Sequence, residues 1–123
     1  MKTKLTFLLS LTFLFLFSSV VFGDDYQDGV DAYKRKDYKT AYKLWLPLAE
    51  QGNAKAQYNL GVMYAKGRGF PQDYILAHMW LNLSGANGYK RGIKLRNLAE
   101  KKMTASQIEK AQELARNWKP KTK

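Results

Sequence analysis

The sequence contains no cysteine, and this absence excludes disulfide bonds, thiol catalysis and a lipid anchor on an N-terminal cysteine. It contains a single histidine, His78, so a set of histidine and cysteine ligands for a metal cannot be assembled. Acids are also scarce, since 10 Asp and Glu stand against 21 Lys and Arg, and the formal net charge is +11. A small domain without disulfides must be stabilised by packing alone.

Long apolar runs are confined to the start of the chain. Two lysines precede an apolar run over residues 5–17, and small residues follow it. This order predicts a secretory signal peptide over residues 1–23, cleaved between Gly23 and Asp24. The alternative is an uncleaved anchor, because residues 5–22 are nearly long enough to span a bilayer. We therefore expect export to the periplasm or out of the cell, and the sequence leaves these two destinations open.

The rest of the chain contains an internal repeat. "KDYKTAYKLWLPLAEQG" begins at Lys36, and "QDYILAHMWLNLSGANG" begins at Gln72. An offset of 36 places Asp37 on Asp73, Tyr38 on Tyr74, Ala41 on Ala77 and Gly52 on Gly88. Upstream, Gly29-Val30 matches Gly61-Val62 once four extra residues in the second copy are allowed. A period in the mid-thirties is the size of one helix–turn–helix unit.

Apolar residues recur at three- and four-residue steps within each unit, as amphipathic helices require. The pattern predicts an all-α fold, a short α-solenoid of about three antiparallel helix-turn-helix pairs within residues 24–118. The pairs are expected at 25–36/37–51, 54–66/73–86 and 89–102/104–118, that is, roughly 25–51, 54–86 and 89–118, with a frayed basic tail at 119–123. Pro47 opposes the scheme, since a proline inside a helix should break or kink it near Leu46.

The stretch "YAKGRGFPQDY" is rich in glycine and could be taken for a phosphate-binding loop. Such a loop needs a preceding strand and a Gly-Lys-Ser/Thr ending, and neither is present. Gly67 instead fits a helix end that needs a left-handed residue, Pro71 stops the helix, and Asp73 fits the N-cap of the next helix. The sequence predicts an interhelical turn. A capping box of Thr104 and Gln107 likewise predicts the start of the last helix.

The segment "AKAQYNLGVMYAKGRGFPQDYILAHMWLNLSGANG" resembles the Sel-one-like repeat, a subclass of the tetratricopeptide-type helical repeats. The resemblance rests on the Ala-x-Ala start, Leu60-Gly61, Tyr64, the Gly67/Gly69 loop, Asp73, Ala77 and Trp80. Residues 37–52 are similar to the second half of another unit, and residues 94–102 depart from the pattern. The resemblance implies an α-solenoid that binds other proteins or peptides, often in envelope or host-directed roles.

In tetratricopeptide-type arrays the first helix of each pair lines a concave groove. By this resemblance, the candidate protein-binding groove consists of five residues on one side of the second unit's first helix: Lys55, Tyr58, Asn59, Val62 and Lys66. The alternative is that Lys55 and Lys66 only make the surface soluble. Most other aromatic side chains fall on the apolar stripes and are expected to pack in the core.

A second candidate site comes from charge. Residues 89–123 hold eleven basic residues against three Glu. The densest part is a basic patch of Lys90, Arg91, Lys94, Arg96, Lys101 and Lys102. Such a run is usually a solvated face, but it could also bind anionic lipid headgroups or acidic polysaccharide. Nucleic acid is a less suitable partner, because an exported protein rarely meets it. Head-to-tail contact with the Asp-rich first helix is a further alternative.

Catalytic residues are not recognisable. His78 lies among apolar residues, where a lone histidine is more often a packed or edge side chain than a base or ligand. The aspartates near residue 24 lack the alternating ligands and central Gly of a calcium loop. We expect no enzyme activity, no cofactor and no metal site. The expected function is an exported, non-catalytic module that binds a protein or peptide partner, with anionic-surface binding through the basic C-terminal helix pair as the alternative.

Overall fold

The computed structural model describes residues 25–122. They form six α-helices and, over this range, no strand: α1 (Asp25–Lys34), α2 (Tyr38–Glu50), α3 (Ala54–Lys66), α4 (Tyr74–Ala86), α5 (Lys90–Glu100) and α6 (Ala105–Asn117). The predicted all-α solenoid is confirmed. The predicted signal peptide, residues 1–23, and its cleavage site lie outside the described residues. Within the described range, no helix combines the length and the apolar composition that a membrane span requires.

The helix ends lie where the capping residues predict them. Asp73 accepts a hydrogen bond from the Leu76 backbone N–H at 3.0 Å and so begins α4. Gly67 ends α3 in the left-handed conformation, with φ at 66°. Thr104 and Gln107 form the predicted capping box at the start of α6. The glycine-rich stretch between α3 and α4 is therefore an interhelical turn, as predicted.

Pro47 does not end α2, which runs unbroken as one helix. The expected break near Leu46 does not occur, and the alternative, a kink, stays a prediction. Pro47 lacks an N–H, so the Lys43 carbonyl loses its helical partner. Lys43 and Pro47 are both exposed, and water can satisfy that carbonyl on the outer side of the helix. The hydrogen bond that the proline removes is therefore lost on the exposed side of α2, and the packed face of the helix is unaffected.

The first four helices form two stacked pairs. α1 packs against α2, α3 packs against α4, and α2 joins the pairs by packing against α3. The last pair differs, because α5 and α6 each pack against α4 and have little contact with one another. The solenoid therefore ends in a cap built on the second pair.

The core is made of large side chains set between small ones. Trp45 and Trp80 are 3% and 7% exposed, and Leu60 and Met63 are fully buried. They are surrounded by alanines that are also fully buried, so the helices approach closely: Ala32, Ala41, Ala49, Ala56 and Ala77. This arrangement is the dense packing that the absence of disulfides requires.

Gln57 is fully buried and links the two repeats through its amide. Its Nε2 donates to the Ala49 carbonyl at 3.0 Å, and its Oε1 accepts from Asn87 Nδ2 at 2.9 Å. Ser84 makes a link within the second repeat, because its Oγ donates to the Ala54 carbonyl at 2.7 Å. Both bonds connect a buried side chain of one helix to the backbone of another, and they satisfy the polar atoms of Gln57 and Ser84 inside the core.

The turn between α3 and α4 packs against both repeats. Phe70 stacks on Tyr64 with ring centroids 4.1 Å apart and meets Tyr42 of α2 edge-on at 5.1 Å. Gly69 approaches Tyr38 so closely that a Cβ there would lie 3.1 Å from the Tyr38 Cβ. Burial in this cluster, together with Tyr42, raises the pKa of Tyr64 well above its usual range.

The described part of the C-terminal tail is held against α2. The Lys121 backbone N–H donates to the Glu50 carbonyl at 2.7 Å, and the Lys121 ammonium pairs with the Glu50 carboxylate. Trp118 is half-buried and packs against the core. The expectation of a frayed tail is therefore wrong for Lys121, because a carbonyl at the C-terminal end of α2 was available as a partner.

Candidate functional site

A cavity of about 400 Å³ lies between α1 and α3. α1 contributes Tyr26, Val30, Tyr33 and Lys34, α2 contributes Trp45, and α3 contributes Tyr58, Asn59 and Val62. Trp45 is nearly fully buried and forms the base of the cavity, whereas the side chains from α1 and α3 are half-buried or exposed and form its walls. The surface is mainly apolar and aromatic, as in most ligand pockets.

The structure divides the five predicted groove residues into two groups. Tyr58, Asn59 and Val62 line the cavity, and Tyr58 also packs edge-on against Tyr89 with ring centroids 5.1 Å apart. Lys55 and Lys66 are exposed and lie outside the lining. Their assignment to a binding groove stays a prediction, but three of the five share one concave surface.

The residues that α1 contributes were missed by the sequence analysis. The signal was present, because Gly29-Val30 matches Gly61-Val62 at an offset of 32 residues. The same offset carries Tyr26 onto Tyr58, Val30 onto Val62 and Lys34 onto Lys66. Equivalent positions of the two repeats therefore form facing walls of one cavity. Trp45 is predicted only as a core residue, whereas in the structure it both packs in the core and lines the cavity.

Hydrogen bonds hold the cavity walls in place. Trp45 Nε1 donates to the Tyr26 carbonyl at 3.1 Å, and Asn59 Nδ2 donates to the Tyr26 hydroxyl at 3.2 Å. On the other side of Tyr33, the Arg68 guanidinium lies over the ring, 5.4 Å from its centroid, and donates to its hydroxyl. These contacts fix the cavity walls to one another, and Tyr33 connects the cavity to a cation.

The cations around this cavity lack acidic partners. Among the ion pairs of residues 25–122, none involves Lys34, Lys55 or Lys66. All three side chains are exposed, and α3 itself contains no acidic residue. The α3 side of the cavity is thus basic, whereas α1 carries Asp25, Asp28 and Asp31 outside the lining, and the interior is apolar.

The predicted basic patch is divided by the structure. Five of its members are exposed on α5 and in the turn that follows: Lys90, Arg91, Lys94, Lys101 and Lys102. Arg96 is different, because it is half-buried and its Nη1 donates to Asn82 Oδ1 of α4 at 2.6 Å. The prediction grouped residues by distance along the chain and did not account for the side of the helix on which Arg96 lies.

α5 also exposes apolar side chains. Ile93 and Leu98, at 38% and 55% exposure, are the exposed large hydrophobic residues of the described range. Leu98 and Lys102 border a smaller cavity of about 150 Å³. The surface of α5 is therefore both cationic and apolar.

His78 is a packed residue, as the sequence analysis expects, and it links α4 to α5. It is 1% exposed, and its Nε2 lies 2.8 Å from Glu100 Oε1. Its Nδ1 is buried without a hydrogen-bond partner among the described residues. The ring is therefore enclosed by the protein at the contact between α4 and α5.

The stacked helical pairs, the glycine turns and the cavity between equivalent helices define a helical-repeat protein. A family model for the Sel1 repeat matches residues 23–53 and 54–89, more than half of the chain. The chain belongs to the Sel1 repeat family, as its resemblance to the Sel-one-like repeat predicts. Searches of curated proteins and of solved structures each gave no match.

The two matched segments correspond to α1–α2 and α3–α4, and they meet at residue 54, where α3 begins. α5 and α6 lie beyond the matched residues, which end at Tyr89, the residue before α5. Sel1 repeats generally mediate protein–protein interactions, and proteins built from them are typically non-enzymatic adaptors. The cavity between α1 and α3 is thus formed by both recognised repeats.

Proposed function

We propose that this protein is an exported, non-catalytic adaptor that binds a segment of another protein in the cavity between α1 and α3. The observation that carries the proposal is the cavity itself, which is apolar, about 400 Å³ in volume and lined by equivalent positions of two repeats. Export rests on the sequence of residues 1–23, which has the order of a secretory signal peptide.

The arrangement favours binding because the walls are already ordered. Trp45, Tyr26 and Asn59 are fixed to one another by hydrogen bonds before any partner arrives. A preformed site avoids part of the entropy cost of association. Aromatic side chains supply much of the binding energy at protein interfaces, and four of them line this cavity.

Site-specific photo-crosslinking in the producing cells tests the proposal. A benzophenone amino acid replaces Tyr58 at the cavity wall or, as the matched control, the exposed Lys39 of α2. We expect a discrete protein adduct from position 58, absent from position 39, that persists in moderate salt. No adduct at position 58, or adducts with lipid or polysaccharide alone, would contradict it.

The exposed surface of α5 supports a second function, binding to an anionic surface. Ile93 and Leu98 are exposed beside Lys90, Lys94 and Lys101, and this mixture of apolar and cationic groups suits a lipid headgroup layer. Each lysine near an anionic bilayer contributes about 1 kcal/mol of attraction.

Vesicle sedimentation tests this second function. We expect binding to vesicles that contain anionic lipid, but not to zwitterionic ones, and a steep loss as salt increases. Replacing Lys90, Lys94 and Lys101 with Gln should abolish binding, whereas replacing Lys39 and Lys43 of α2 should not. Equal binding to both kinds of vesicle, or to neither, would overturn it.

A further inference from the structure

We propose that the partner of the cavity between α1 and α3 is an acidic peptide segment that inserts one aromatic or branched apolar side chain between Val30 and Val62. This inference rests on the proposed function and adds the chemistry of the partner. It combines the apolar lining of the cavity with the exposed lysines of α3 and with Lys34 of α1, the one charged residue in the lining. The aspartates of α1 lie outside that lining.

The size and lining of the cavity fit a single large side chain. A cavity of about 150 Å³ is enough to hold a benzene ring, and this one is about 400 Å³. Val30 and Val62 face each other from equivalent positions of the two repeats, with the indole of Trp45 at the base. An inserted ring would meet aromatic and aliphatic surface on several sides, which makes it the anchor of the complex.

The positions of the surrounding lysines repeat along the solenoid. The offsets that relate the repeats place Lys34 on Lys66 and then on Lys102. These residues lie at the C-terminal ends of α1 and α3 and just beyond the end of α5, and all three are exposed. Lysines at such ends also stabilise the helices through the macrodipole, so by themselves they do not indicate a ligand.

The helix macrodipole does not explain Lys55 or its repeat equivalent, Arg91. Each is the second residue of its helix, where a cation opposes the helix macrodipole. Both are exposed, and neither is among the residues that form ion pairs within the described range. Cations at both ends of the same helix face, with no acid on α3, favour carboxylates on the partner.

Selection from a random peptide library tests the inference. Phage-displayed 12-residue peptides are selected on the protein recovered from cells that express the full chain. Peptides that bind the Val62→Asp variant equally well are discarded, and the remainder are synthesised for affinity measurements. We expect these cavity-dependent peptides to be acidic and to share one aromatic or branched residue whose replacement by Ala weakens binding at least about tenfold.

Charge reversal supplies the second measurement, with variants that leave the cavity intact. Lys55→Glu with Lys66→Glu should weaken the selected peptides about tenfold, because exposed ion pairs contribute modestly each. Lys39→Glu with Lys43→Glu, outside the cavity lining, is the matched control and should have little effect. The same pair of reversals should leave circular dichroism unchanged, since both side chains are exposed. The melting temperature should change little, because the macrodipole favours Glu at position 55 and disfavours it at position 66.

The outcomes separate this inference from the proposed function. Cavity-dependent peptides that are neutral or basic would overturn the acidic partner and leave the adaptor function standing. Acidic peptides that lack a shared apolar residue would overturn the anchor. If no selected peptide depends on Val62, while the variant keeps the wild-type circular dichroism, both proposals fail together.

Discussion

The backbone of Gly29 lies directly against the indole ring of Trp45. A Cβ on residue 29 would be 2.7 Å from both Cδ1 and Cε2 of the ring, closer than packed carbon atoms approach. The ring cannot move aside freely, because it is nearly fully buried and its Nε1 donates to the Tyr26 carbonyl. The second repeat has the same close approach at the equivalent positions, Gly61 and Leu81. A Cβ on Gly61 would be 2.6 Å from Leu81 Cγ.

We expect Gly29→Ala to lower the free energy of unfolding by up to about 2 kcal/mol, measured by urea denaturation. Overpacking in a core costs about 1–3 kcal/mol, and the better helix propensity of Ala returns only about 1 kcal/mol. Gly85→Ala is the comparison, because its nearest obstruction is Cγ1 of Ile93, a 38% exposed side chain with more room to shift than the buried indole. A larger loss at Gly85 than at Gly29 would contradict this account of the packing.

The bond between His78 and Glu100 is expected to stabilise the last part of the solenoid. His78→Ala should lower the free energy of unfolding by about 2–4 kcal/mol, since it removes a buried ring and leaves the carboxylate without its partner. Glu100→Gln should cost no more than about 1 kcal/mol, because the amide oxygen still accepts a hydrogen bond.

A double-mutant cycle of His78→Ala with Glu100→Ala measures the coupling between the two side chains, because each substitution removes their contact. We expect a coupling energy near 1 kcal/mol for this pair. The same cycle with Glu109, exposed on α6, in place of Glu100 is the control and should give a coupling near zero. Equal coupling in the two cycles would show that the contact contributes nothing specific.

Asp37 is expected to make stability depend on pH in the acid range. The hydrogen bond that it accepts from Thr40, together with the nearby Arg35, lowers the pKa of this carboxyl. Its folded pKa is then below the unfolded value of about 3.9. The contribution is therefore fully present above that value and is lost as the pH falls through the lower, folded pKa.

Thermal melting of the wild type and Asp37→Asn between pH 7 and pH 2 measures this effect. Asn keeps a capping oxygen but cannot ionise, so it isolates the charge from the hydrogen bond. We expect the wild type to have the higher melting temperature at neutral pH. The difference in melting temperature between the two proteins should vanish as the solution becomes more acidic. A difference that does not change with pH would show that ionisation of Asp37 has no role.

Much of this fold follows from local sequence rules. The spacing of Tyr38, Ala41 and Trp45 predicts the apolar face of α2, and caps such as Asp73 and Gly67 mark helix ends within a residue or two. These features depend on neighbours in the chain. Pro47 is the exception, because its effect depends on whether the Lys43 carbonyl faces water. The stacking of the repeats determines this exposure.

The candidate site could be predicted only in part, for a physical reason. Tyr58 and Val62 were identified from one helix face, but a cavity needs a second wall, and Tyr26 and Val30 lie 32 residues earlier in the chain. The fully buried Gln57 was not recognised, because its partners are carbonyl and amide groups on other helices. Arg96 was misplaced for the same reason, since Asn82 on α4 determines its direction.

The four extra residues in the second repeat's turn have a consequence for cooperativity. Phe70 packs on Tyr64 of its own repeat and on Tyr42 of the preceding one. The turn between α3 and α4 is therefore packed against both repeats and is not a solvated loop. We expect the two repeats to unfold together in one cooperative step. Amide hydrogen exchange would show matching protection in α2 and α3, and in Phe70→Ala the first repeat would exchange ahead of the second.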